Sequence, residues 1–87
     1  MELYTPGQLV RSLAGHDKGS LMVILDVKED GQQLYLADGD RRPVESPKRK
    51  NRKHVQPICW SLEGTGPWTN EQIKKAIKVY TKEDLNV

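Results

Sequence analysis

Between Gln8 and Trp60 the apolar residues recur at the spacing of strands, and no stretch there keeps the spacing of a helix. The clearest segment runs from Ser20 to Lys28. Leu21, Val23, Leu25 and Val27 share one face at period two, with Met22 and Ile24 between them and polar Asp26 and Lys28 following. Asp30-Gly31 supplies the positive φ angles of a tight hairpin turn. Gln33 to Asp38 is then the returning strand, with Leu34 and Leu36 on its buried face. Upstream, Gln8 to Leu13 reads as a first strand ended by Gly15. A second pair, Asp38-Gly39, turns the chain into a short strand around Pro43 to Glu45. Val55 to Trp60 closes the set, and Pro57 marks an edge position or a bulge. Five short strands with tight turns predict a mainly β fold, a small and strongly curved barrel whose closure removes exposed edges.

The pattern changes after Trp60. Gly64-Thr65-Gly66-Pro67 is a turn-rich linker, and Thr69 with Gln72 has the spacing of a capping box that opens a helix. Ile73, Ala76, Ile77 and Tyr80 form a narrow apolar stripe, while Lys74, Lys75, Lys78 and Lys82 gather on the opposite side. These lysines are either a solvated face or an extension of a phosphate-facing surface. The expected organisation is a barrel over residues 1–60, a linker over 61–68, and a C-terminal helix with its tail over 69–87, packed on or beside the barrel.

Length sets one small domain: 87 residues bury only about 60–65% of the surface their unfolded chain exposes. The single Cys59 excludes an internal disulfide framework, fits a reducing compartment, and is expected in the core as a small hydrophobe. No apolar run approaches the roughly 18 residues of a bilayer span. Met1-Glu2-Leu3-Tyr4 lacks both the basic start and the apolar stretch of a signal peptide. The expectation is a soluble cytoplasmic protein, monomeric when free.

Charge changes the picture most. Arg41 to His54 holds seven cations against one acid, Glu45, a formal +6 in a chain whose total is only +2. The remainder is therefore acidic, at −4. Such a concentration builds a local field whose commonest partner is a nucleic-acid backbone; the plain alternative is a solvated loop. Arg41, Arg42, Lys48, Arg49, Lys50, Arg52 and Lys53 are the candidate phosphate contacts. Asn51 and His54 would add hydrogen bonds to bases, sugars or phosphates, or else order the loop. Tyr4, Tyr35, Trp60 and Trp68 are expected to pack the core and linker rather than to stack bases.

Catalysis finds no constellation. His16, His54 and Cys59 form no metal-ligand pattern, and Asp17, Asp26, Asp30, Asp38 and Asp40 mostly fall in turns, where backbone chemistry accounts for them. No glycine-rich loop leads into a helix with the lysine and hydroxyl of a nucleotide site. No enzyme activity, metal or cofactor is expected.

The loop Gly15-His16-Asp17-Lys18-Gly19 sits between Gly7-Gln-Leu-Val10 and Gly19-Ser-Leu-Met-Val-Ile-Leu25. This arrangement resembles the KOW motif, a strand, a glycine-bracketed polar loop and a second apolar strand, found in ribosomal proteins and transcription elongation factors. Leu36-Ala-Asp-Gly39, Arg41-Arg-Pro-Val44 and Pro47-Lys-Arg-Lys-Asn51-Arg-Lys-His54 extend the resemblance. Over residues 5–57 the chain is similar to large-subunit ribosomal proteins of the archaeal and eukaryotic "L fourteen e" type and to their bacterial KOW-domain relatives. The resemblance implies an SH3-like five-stranded barrel that binds RNA, ribosomal RNA above all and through it the large ribosomal subunit. The basic segment would dock on phosphates while His16 and Lys18 in the glycine-bracketed loop shape the contact. The rival reading is a KOW-type protein-interaction module whose basic face takes an acidic protein partner.

Overall fold

The structure is a computed structural model that describes residues 4–85. The first three residues and the tail beyond Leu85, assigned above to the barrel and the helical segment, lie outside the described residues. Among the described residues the chain forms β1 (Gln8–Ser12), β2 (Leu21–Lys28), β3 (Gln33–Ala37), β4 (Lys48–Asn51), a 3-10 turn (Arg52–His54), β5 (Val55–Ser61) and α1 (Asn70–Leu85). All pairings are antiparallel, in the order β4-β3-β2-β1-β5. The first four strands form a meander, and after the 3-10 turn β5 comes back to pair with β1. A single curved sheet of this topology with one C-terminal helix is a small SH3-like barrel. No described helix is long and apolar enough to cross a membrane.

Both faces of the sheet are covered, which explains why β2 is apolar at successive positions. Val10, Met22, Ile24, Leu34, Leu36 and Val55 fill the barrel interior. On the other face Leu9, Val23 and Ala37 meet Trp68 and Ile73. Each fully buried aliphatic side chain of this kind stabilises the fold by roughly 1.5–3 kcal/mol. The face assignment of β2 needs one correction. A register shift between Ile24 and Asp26 inserts Leu25 as an extra residue, so Val27 joins Met22 and Ile24 inside, while Leu25 packs with Val23 outside.

Asp30 and Gly31 both have positive φ, and the Gln32 amide donates to the Glu29 carbonyl, as the Asp-Gly hairpin requires. Pro57 is indeed on an edge strand beside an irregularity: Gln8 pairs with Ser61 but Val10 with Pro57. Two other expectations fail. Pro43 to Glu45 is not a strand; the fourth strand lies five residues later, inside the basic segment itself. Cys59 is exposed: it alternates with Ile58 and Trp60, which pack toward the helix, and it lies in the stretch between Pro57 and Ser61 where the β1–β5 register shifts.

α1 begins where the capping box was expected. The Gln72 amide donates to Thr69 Oγ1 at 3.1 Å, and the Thr69 amide donates to Gln72 Oε1 at 2.8 Å. The stripe of Ile73, Ala76, Ile77 and Tyr80 faces the barrel, and the four lysines face solvent. Trp68, in the linker, is buried and its indole N–H donates to the Glu63 carbonyl at 3.2 Å. Tyr80 meets Trp60 edge to face at 6.3 Å. The linker is thus a wedge between barrel and helix rather than a free tether.

Candidate nucleic-acid interface

The basic segment is built into the barrel rather than looped out from it. β4 pairs with β3 in the register Leu36↔Lys48, Tyr35↔Arg49, Leu34↔Lys50 and Gln33↔Asn51. Opposed residues in an antiparallel pair share a face. Lys48 and Lys50 are therefore on the interior side with Leu36 and Leu34, and Arg49 is outside with Tyr35.

Lys50 uses this inward position to pin the glycine-bracketed loop. Its Nζ donates to Ser12 Oγ (2.9 Å), the Ala14 carbonyl (2.8 Å) and Asp17 Oδ1 (2.9 Å). Three donors meet three acceptors, so the ammonium is fully used. The Ser12 hydroxyl in turn donates to Asp17 Oδ1 at 2.9 Å. The ion pair is largely removed from solvent, with 9% and 15% of the Lys50 and Asp17 side chains exposed. Burial pushes the Asp17 carboxyl up, but the hydrogen bonds from Lys50 and Ser12 and the charges of Lys50 and Lys48 outweigh it and hold it below the usual aspartate range. Arg11 Nη1 fixes the far side of the loop by donating to the Gly19 carbonyl at 3.1 Å.

With Lys50 committed inward, the remaining candidates surround the loop it holds. His16 and Asp17 from the loop, Arg41 and Arg42 from the turn after β3, and Lys48 at the start of β4 line one cleft of about 250 Å³. Arg41, Arg42 and His16 are exposed and Lys48 is half-buried. The turn carrying the two arginines is folded by Asp38, whose Oδ1 accepts the amides of Asp40 and Arg42 at 2.8 Å each. Lys18 is exposed on the same loop.

The 3-10 turn carries the rest. Asn51 is half-buried, and its Oδ1 accepts the Lys53 amide at 3.0 Å, which is the loop-ordering role considered above. Arg52, Lys53 and His54 are exposed. The His54 carbonyl accepts the Leu13 amide at 2.8 Å, which sets the turn beside the loop's first residues. Arg52 lies over the ring of Tyr4, 5.9 Å from its centroid. Arg49 is exposed on the outer wall, away from the cleft.

Sequence reasoning did not find the Asp17–Lys50–Ser12 cluster that shapes this rim. The available signal was Asp17 itself, an acid between two glycines in a chain with inward-facing lysines only if β4 is recognised. Among the described residues no three side chains of the metal-ligating types come together. No family model matches this chain, and no curated protein is significantly similar to it.

Proposed function

We propose that this protein is a non-enzymatic RNA-binding domain of KOW type, which docks on phosphates through the rim formed by Arg41, Arg42, Lys48 and the Gly15–Gly19 loop. The observation that carries the reading is the cleft in which two separate stretches of sequence, the glycine-bracketed loop and the Arg41–Lys48 segment, converge, with Arg41, Arg42 and His16 exposed and Lys48 half-buried. Guanidinium groups pair bidentately with phosphate oxygens, and the turn folded by Asp38 presents Arg41 and Arg42 with little ordering cost. Ribosomal RNA is the favoured target, from the resemblance of residues 5–57 to large-subunit ribosomal proteins.

The test is binding of purified protein to structured RNA across a salt series. About four to six neutralised phosphates give a log–log slope near −3 to −4 on single strands and a steeper one on duplex. The Arg41→Ala/Arg42→Ala/Lys48→Ala variant is expected to fold and to lose about 3 from the slope on duplex. Retention of full affinity and slope refutes the mechanism. Absence of RNA binding by the unmodified protein, with capture of an acidic protein, establishes the rival reading.

A further inference from the structure

The turn that carries Arg41 and Arg42 is locked onto the C-terminal helix. Gly39 is buried with φ +82°, and a Cβ placed there would collide with the Asn70 carbonyl and fall 2.8 Å from Lys74 Cγ. Asn70, the first residue of α1, holds the same segment by its side chain. Its Oδ1 accepts the Val44 amide at 2.7 Å and its Nδ2 donates to Glu45 at 2.9 Å. The spacing between the arginines and the helix lysines is therefore fixed by direct contact and not by the linker.

A second groove, of about 450 Å³, opens on the helix side of this turn. Arg41 lines it together with Lys74 and Lys78, and the two grooves adjoin, sharing Ser20, Asp38 and, as their common cation, Arg41. Asp38 and Asp40 border the groove as well. Asp38 has one oxygen occupied by two backbone amides of the turn. With Arg42 and Lys48 the joined surface carries five cations against these two acids, Asp17 being cancelled by Lys50.

The aromatic side chains argue against one mode of recognition. Trp68 is buried and the other four, Tyr35 on the outer wall included, are half-buried, so none presents a fully free ring. Trp68 is buried, Trp60 and Tyr80 pack on each other, and Tyr4 lies between the interior cluster and Arg52. Binding of unpaired strands relies on stacking bases on free rings, whereas duplex RNA is gripped through its phosphates and shape.

We infer that α1 is part of the RNA-binding surface, with Lys74 and Lys78 forming a second phosphate subsite joined to the rim by Arg41, and that the segment gripped is double-stranded. This rests on the RNA reading above and adds to it an element for which the resemblance offers nothing.

The deciding experiment compares three forms of the full chain on a two-turn RNA hairpin and on an unstructured strand of equal length, each over a salt series. The forms are the unmodified protein, Lys74→Ala/Lys78→Ala, and Lys28→Ala/Lys75→Ala, which removes the same charge from positions outside both grooves. Circular dichroism verifies that each is folded. The inference expects tighter binding to the hairpin, a loss of about 2 from the slope for Lys74→Ala/Lys78→Ala, and little change for Lys28→Ala/Lys75→Ala. Equal losses from both variants, or none from Lys74→Ala/Lys78→Ala, overturns the helix subsite while the rim reading stands. Equal or tighter binding to the unstructured strand overturns the duplex assignment. Failure of the unmodified protein to bind either RNA overturns the RNA reading itself.

Discussion

Replacing Lys50 by methionine keeps the aliphatic stem along the barrel interior and removes only the ammonium. Three hydrogen bonds disappear, and Asp17 is left as a carboxylate with 15% of its side chain exposed and Ser12 as its remaining donor. Removing one member of a buried pair costs about 3–5 kcal/mol, most of it from the uncompensated charge left behind. Asp17 Oδ2 is already closed off from solvent without a hydrogen-bond partner among the described residues, so water can offset little of that load, and the expectation is at least about 3 kcal/mol. For a domain of this size the loss lowers Tm by about 15 °C. Acid provides the sharper check. In the native protein the Asp17 pKa is depressed, so its contribution is present above the ordinary value, about 3.9, and is lost as pH falls through the folded one. In Lys50→Met burial is opposed only by the Ser12 hydrogen bond and the Lys48 charge, so the folded pKa moves up from its native position and acidification costs the variant less than it costs the native protein. The stability gap between the two proteins should therefore narrow from pH 7 to pH 4, measured by urea titration at each pH. A gap under about 1 kcal/mol at pH 7, or one unchanged by acid, refutes the argument that this is a buried, charge-paired anchor.

Gly39→Ala should destabilise by more than about 2 kcal/mol, since it combines a positive φ with a collision against the Asn70 carbonyl; chemical denaturation measures it. Thr69→Ala removes half of the capping box and should cost about 1 kcal/mol, seen as a shift of the denaturant midpoint at constant slope. Cys59, being exposed, should react with a thiol reagent in the native protein at the rate of a free thiol; protection until unfolding would contradict its place on β5.

What the sequence disclosed and what it concealed follow from where apolar side chains do the filling. Leu34 and Leu36 alternate, and the helix stripe repeats cleanly, because each points one way into a hydrocarbon interior. β4 reads Lys-Arg-Lys-Asn and gives no apolar alternation, since its inward positions are occupied by the Lys50 ammonium and by Lys48 at the cleft. The run of cations from Lys48 to His54 therefore has the pattern of a loop, although its first four residues are a strand. Leu25 hid the bulge, because an apolar residue is acceptable on either covered face of β2. The rim cations were legible as a set from charge alone. Only three-dimensional contact could sort them into Lys50, turned inward, and Arg41 and Arg42, turned out.

The pinned loop also carries a kinetic consequence. Lys50 and Asp17 stand 33 positions apart in the chain, so their contact cannot form until the β2–β3 hairpin and then β4 have been laid down. Closing a long segment is an entropic cost that early, local hairpin contacts do not bear. The expectation is that the rim assembles after the transition state for folding, so that Lys50→Met accelerates unfolding and leaves the refolding rate nearly unchanged; slowed refolding with unchanged unfolding would contradict it. A chain still emerging or only partly folded would carry every cation of the segment and none of the geometry, so the rim as a shaped surface exists only once the fold is complete.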